Sequence, residues 1–150
     1  MRTAVNARRT GLLIACILAA CAAPQPLASY AVVGDAVPNA LVASPADPLR
    51  GRAIIVGRDA NCLLCHSVPE SGQQFMGNIG PSLSGVGRRL SAAQLRLRII
   101  DAAVVNPETV MPPYYRTNGL RNVSEQYSGK PILSAQQIED VVAYLGTLRQ

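Results

Sequence analysis

The chain has 150 residues, of which 49% are hydrophobic and 15% are charged; this length suits one domain of ordinary size and excludes a large multidomain enzyme. The formal net charge of +5 would favour a nucleic-acid partner, but from residue 32 onwards the chain carries 11 basic and 9 acidic residues. Because no basic stripe remains to follow phosphates, we expect no binding to nucleic acid.

The N-terminal segment is typical of a secretory signal peptide. Basic residues ending at Arg8 and Arg9 precede an apolar stretch over residues 12–23, and Pro24 follows it. The apolar stretch is too short to span a bilayer core, which needs about 20 residues. The sequence therefore predicts an exported, periplasmic protein.

Two processing positions are compatible with this segment. The small residues at 29–31 (SYA) predict a signal peptide over residues 1–31 and a soluble mature protein, which is the reading we prefer. Residues 18–21 (LAAC) resemble a bacterial lipoprotein box instead, with a signal over residues 1–20 and a lipid anchor on Cys21 that tethers the protein to a membrane.

The remaining chain divides into an N-terminal arm, residues 32–46, and one domain, residues 47–150. The arm is small, apolar and interrupted by prolines without a clean period, so we expect an irregular extended segment. Asp47 followed by Pro48 is a typical helix start and predicts a first helix from 48 to about 57.

Capping boxes predict two further helices. Ser91 with Gln94 begins one of them, which Asn106 and Pro107 end. A second box, formed by Ser134 and Gln137, begins the last helix. Its apolar positions recur at helical spacing, and they are Ile138, Val141, Val142, Leu145 and Leu148. The acidic pair Glu139 and Asp140 is expected to face water.

Between the predicted helices lie loops rich in glycine and proline, with no alternating strand pattern. Long loops in a small domain usually wrap a ligand or form a binding surface. The sequence thus predicts an all-α fold of three or more helices, with long loops wrapped around a ligand.

The segment CLLCH, residues 62–66, identifies that ligand as one covalently bound haem c. Cys62 and Cys65 lie one helical turn apart and can add to the two vinyl groups of a porphyrin, and His66 then offers its imidazole to the iron. A structural zinc site would need four ligands. A thioredoxin-like pair would need a βαβ context, and a disulfide between the two cysteines would leave the single histidine unexplained.

A sixth iron ligand has two methionine candidates. We prefer Met111, because Pro112 and Pro113 restrict the loop that would carry its thioether to the face opposite His66. Met76 is too close to the histidine along the chain to reach round the ring, and ordinary packing is the alternative for Met111. An open sixth position would mean a haem that binds gas or peroxide.

The pair Gly80 and Pro81 predicts a carbonyl that accepts the N–H of His66 and fixes the orientation of the imidazole. A plain turn is the alternative interpretation.

These residues resemble class I cytochromes c: CLLCH after a helix that contains Gly51, then GPSLSGVG, a Met-Pro loop and a last helix ending VVAYLGTL. In that family a glycine at the position of Gly51 lets the first and last helices cross closely beside an aromatic such as Tyr144. The segments PPYYRTNGL and GKPILSAQQIEDVVAYL are more specific, and resemble the SoxX branch, the small monohaem subunit of the SoxAX cytochromes.

The resemblance implies a periplasmic heterodimer with a larger SoxA-like haem subunit that joins thiosulfate oxidatively to a carrier-protein cysteine. This chain would contribute no catalytic residue; its haem, attached through Cys62 and Cys65 with His66 and Met111 as axial ligands, would pass electrons to a downstream cytochrome. A freestanding shuttle cytochrome serving a terminal oxidase is the alternative.

The loop after Met111 carries aromatic and arginine side chains of the kind enriched at interfaces. We therefore expect this loop or the haem edge to meet the partner subunit; the residues concerned are Tyr114, Tyr115, Arg116 and Tyr127.

Overall fold

The structure is a computed structural model that describes residues 27–150. Residues 1–26, with Cys21 and most of the predicted signal peptide, lie outside the described residues. Within the described part, helices and short 3-10 turns are the regular elements, and one isolated bridge joins Val33 to Ala36. No helix of this part is both long and apolar enough to cross a membrane.

Four helices build the domain: α1 Pro48–Val56, α2 Val86–Arg89, α3 Ala92–Asp101 and α4 Ala135–Thr147. Short 3-10 turns lie at Cys62–Leu64, Pro69–Ser71, Ala102–Val104 and Glu125–Tyr127. The predicted all-α architecture is confirmed, and the single-turn helix α2 was missed because four residues carry no period.

The three predicted helices begin where their caps place them. The Asp47 carboxylate accepts the N–H of Leu49 at 2.8 Å. Capping boxes at Ser91 and Ser134 are both complete, with the side chain of each serine accepting from the backbone three residues later. These caps satisfy backbone groups that a helix end leaves free, so they set the starting residues locally.

Helices α1 and α4 cross at Gly51. A Cβ on Gly51 would lie 1.9 Å from the carbonyl oxygen of Asp140 and 2.9 Å from the Cβ of Tyr144. Only a residue without a side chain allows this approach, as the family resemblance implies. The helices frame a core in which Ile55, Ile100 and Ile138 are fully buried.

The arm is irregular, as expected, but it packs on the domain. Val37 is 1% exposed, Leu41 is 8% exposed, and the N–H of Val37 donates to the carbonyl of Ala93 at 3.0 Å. The arm therefore covers α3 and belongs to the core.

The prediction that Glu139 and Asp140 face water was wrong, since they are 5% and 2% exposed. Glu139 pairs with the buried Arg96 at 2.7 Å, and Asp140 pairs with Arg50 at 2.7 Å. Sequence periodicity placed them on the outer face of α4 because it could not show the arginines and the arm that cover that face.

Candidate functional site

The two cysteines and the histidine of CLLCH lie on one tight turn. The N–H groups of Cys65 and His66 both donate to the carbonyl of Cys62, at 3.2 and 3.0 Å. Asn61, just before the turn, adopts the left-handed conformation with φ +53°, which asparagine tolerates better than most residues. Both thiols are free and partly exposed, so the turn presents two sulfurs and an imidazole together.

Burial raises the pKa of the Cys62 thiol to about 11, although a hydrogen bond with Tyr114 acts in the opposite direction. The thiol is therefore neutral at pH 7. Catalytic C-x-x-C pairs have a lowered thiol pKa, so the electrostatics of Cys62 disfavour a thioredoxin-like role.

His66 is held by the segment Gly80–Pro81. Its Nδ1 lies 2.7 Å from the carbonyl oxygen of Pro81, and the N–H of Gly80 donates to the carbonyl of Cys65 at 2.8 Å. A Cβ on Gly80 would lie 2.3 Å from the imidazole Cε1, so the glycine leaves room for the ring. When Nδ1 donates to Pro81, Nε2 carries the lone pair that a metal requires.

The two candidate methionines have different environments. The sulfur of Met76 accepts the backbone N–H of Val68 at 3.0 Å and packs against the core. Met111 is half-buried, packs against the same core, and its N–H donates to the Thr109 hydroxyl at 3.2 Å. The sulfur of Met76 already accepts a hydrogen bond from the backbone. This favours Met111 as the candidate for the sixth iron ligand.

The loop after Met111 is anchored on α3 and next to the CLLCH turn. The N–H groups of Tyr114 and Tyr115 donate to the carbonyls of Ile99 and Ile100, both at 3.2 Å. The Tyr114 hydroxyl donates to the carbonyl of Ala60 at 2.8 Å, two residues before Cys62. Sequence reasoning missed this link, and no local signal could have shown it.

Tyr114 and Tyr115 are 7% and 2% exposed, so the prediction that they form an interface was wrong. They fill the core of a domain with a single phenylalanine and no tryptophan. Arg116 is engaged within the chain by Asp101 at 2.6 Å, and Tyr127 lines a cavity of about 460 Å³ beside the end of α1.

The donor set matches the requirements of a c-type haem. Two free thiols on one turn can form thioethers, and an imidazole oriented by Pro81 can bind iron. The glycine at position 80 supplies the space that the ring occupies. In residues 27–150 no cluster of three His, Cys, Asp or Glu side chains could hold a metal ion by itself.

Comparison with known proteins agrees with this geometry. The family model described as cytochrome c matches residues 50–149. A chain in the crystal structure of SoxXA from P. pantotrophus is 37% identical, with a TM-score of 0.75, and the match covers 81% of this chain and 95% of that one. No curated protein matches the chain significantly. With its CLLCH turn, its crossing helices and these similarities, the chain belongs to the cytochrome c family, which carries covalently bound haem c, and is of the SoxX type.

Proposed function

We propose that this chain is the exported, electron-accepting monohaem subunit of a SoxAX-type enzyme. The observation that carries the proposal is the 37% identity over 95% of a chain of SoxXA. One C-x-x-C-H segment and one histidine limit the chain to one haem. Bound haem c supplies reversible one-electron chemistry.

We assign different residues of the chain to different parts of haem binding. Cys62 and Cys65 would attach the haem covalently, and His66 and Met111 would bind its iron. The Pro81 carbonyl accepts the N–H of His66 and increases the basicity of the ligand. With His66 and Met111 both bound, the iron would offer no position to a substrate, so the chain would move electrons and contribute no catalytic residue.

The reaction assigned to the enzyme is the oxidative joining of thiosulfate to a cysteine of a carrier protein. A sulfur–sulfur bond forms between the outer sulfur of thiosulfate and the cysteine sulfur, the thiol proton is released, and two electrons leave. We place the reacting groups on the larger SoxA-like haem subunit. This chain accepts the electrons one at a time and passes them to a downstream cytochrome.

Export brings the chain to the compartment where haem c is attached. Contacts of residues 27–31 distinguish the two processing positions. The N–H of Ala28 donates to the Tyr115 hydroxyl at 2.8 Å, and the Tyr30 and Tyr115 rings lie 6.3 Å apart. Cleavage before Val32 would remove both contacts. The intact mass of the purified protein reports which position is used and whether Cys21 carries a lipid anchor.

An apolar surface beside the haem-attachment turn is our candidate for the partner interface, and we call it the Phe75 surface. It consists of Leu64, Phe75 and Ile79, which are 62%, 99% and 68% exposed. The N–H of Gly77 donates to the carbonyl of Leu63 at 2.8 Å, so this segment lies against the turn. An electron donor must approach the attached haem closely, and exposed apolar side chains next to it suit a protein partner.

The test is purification of the tagged protein from the periplasm of thiosulfate-grown cells, followed by a haem-stained gel. We expect a larger haem polypeptide in equal amount, and reduction of the haem of this chain when thiosulfate and the carrier protein are added. Recovery of this chain alone, with its haem intact, would contradict the subunit proposal and favour the freestanding shuttle.

A substitution in the Phe75 surface tests, in the same experiment, whether the partner binds there. Phe75→Glu is expected to lower recovery of the partner at least tenfold, because it buries a charge at the contact. Leu49→Glu is the matched control, since Leu49 is 77% exposed and lies on α1 outside the Phe75 surface. Equal recovery with both variants would place the interface elsewhere.

A further inference from the structure

The side chain of Tyr114 connects the loop that carries Met111, which we call the Met111 loop, to residues 60–66. These residues include the CLLCH turn, and we call them the haem-attachment segment. The hydroxyl of Tyr114 donates to the carbonyl of Ala60 at 2.8 Å, two residues before Cys62. The ring is 7% exposed. A buried hydroxyl with a defined acceptor fixes distance and direction, because leaving the carbonyl unpaired would be costly.

The backbone of Tyr114 is fixed as well. Its N–H donates to the carbonyl of Ile99 at 3.2 Å, and its carbonyl accepts the N–H of Leu133 at 3.0 Å. Between Tyr114 and Met111 stand only Pro112 and Pro113, whose rings restrict the backbone. Two backbone bonds and the side-chain bond to Ala60 therefore hold Tyr114, and a short, stiff link joins Tyr114 to Met111.

We propose that Tyr114 is a positioning residue that holds the Met111 loop against the haem-attachment segment and so keeps the methionine sulfur on the iron. The inference rests on the proposed function, because it takes Met111 as an axial ligand. The hydroxyl favours the closed position of the loop over an open one in which the sulfur leaves the iron. Any external ligand that binds iron in place of the sulfur competes with this preference.

The neighbouring tyrosine offers a matched control. Tyr115 is also buried, but its hydroxyl accepts the N–H of Ala28 and not a bond from the attachment segment. Tyr114→Phe and Tyr115→Phe each remove one buried hydroxyl and leave the ring in place. If the Tyr114 hydroxyl only stabilised the fold, the two variants would bind imidazole with the same affinity.

The experiment measures imidazole binding to the ferric holoprotein, together with the weak red absorption band that reports methionine sulfur on ferric haem. We expect Tyr114→Phe to bind imidazole about fivefold more tightly, the ratio that corresponds to one hydrogen bond of about 1 kcal/mol. Tyr115→Phe should bind imidazole as the unaltered protein does. Free energies of unfolding in urea, measured on both variants, separate loss of stability from this effect.

Equal imidazole affinity in the two variants would overturn the inference, even if both lose stability. Failure of Tyr114→Phe alone to acquire haem would also overturn it, since the hydroxyl would then act during haem attachment. If the unaltered protein lacks the red band, Met111 is not the ligand, and both the ligand assignment and this inference are wrong. The co-purification test of the subunit proposal remains independent of that result.

Discussion

Gly51 in α1 and Gly146 in α4 differ in the space around them. This difference decides what each glycine contributes to the stability of the fold. Gly51 faces the backbone of α4, whereas a Cβ on Gly146 would meet nothing within 4 Å. The first position requires glycine for the crossing of α1 and α4. The second lies within α4, where glycine only weakens the helix.

Gly51→Ala should lower the free energy of unfolding by about 3 kcal/mol, because the new methyl group would overlap the Asp140 carbonyl and force the helices apart. Gly146→Ala should raise it by up to about 1 kcal/mol through better helix propensity. Urea unfolding of the two holoproteins measures both changes. Equal destabilisation by the two variants would show that the crossing does not depend on the missing Cβ.

At the scale of elements, a buried ion pair joins α3, α4 and the arm. The Arg96 guanidinium contacts both carboxylate oxygens of Glu139, at 2.7 and 2.8 Å. It also donates to the carbonyl of Val37 at 2.7 Å, and the N–H of Leu41 donates to the Glu139 carboxylate at 2.9 Å. Both charges thus have hydrogen-bonding partners inside the protein. Loss of one of the two side chains leaves the charge of the other buried and without its ion-pair partner.

Arg96→Met should therefore lower the free energy of unfolding by about 3–5 kcal/mol, the usual cost of breaking a buried pair. The double variant Arg96→Met, Glu139→Leu should recover much of that loss, because neither charge remains. Urea unfolding of both variants measures this difference. A double variant that is less stable than the single one would mean that Glu139 stabilises the protein even without Arg96, through its contact with the Leu41 N–H.

At the scale of the whole molecule, the carboxyl group of Asp140 makes the free energy of unfolding depend on pH in the acid range. Burial raises the pKa of its carboxyl group, but hydrogen bonds from Arg50, the Asp47 backbone and Gln136 together outweigh burial and hold the pKa below the ordinary 3.8. A lowered pKa in the folded state means that the carboxylate stabilises the protein fully above pH 3.8. This contribution disappears as the pH falls through the lowered value.

The free energy of unfolding should accordingly fall as the pH is lowered below the ordinary 3.8 and through the lowered pKa of Asp140. Asp140→Asn should be less stable at neutral pH and should show a shallower slope in acid. The measurement is urea unfolding at a series of pH values, with the exposed Glu108→Gln as control. An unchanged slope in Asp140→Asn would assign the acid sensitivity to other carboxyl groups.

The sequence by itself determined the features that depend on residues close together along the chain. CLLCH forms one turn, Ser91 and Ser134 begin helices through partners three residues away, and Gly80–Pro81 lies close enough in sequence to His66 to be foreseen beside it. Such features follow from local backbone geometry and ligand chemistry, so spacing alone predicts them.

Only the tertiary structure decided which polar and aromatic groups are buried. Glu139 meets Arg96 across 43 residues and Leu41 across 98, and Tyr114 meets Ala60 across 54. Periodicity shows which face of a helix is polar, but it does not show whether an arm and an arginine cover that face. Burial depends on partners distant in sequence, and for this reason the interface predicted at Tyr114 and Tyr115 became core.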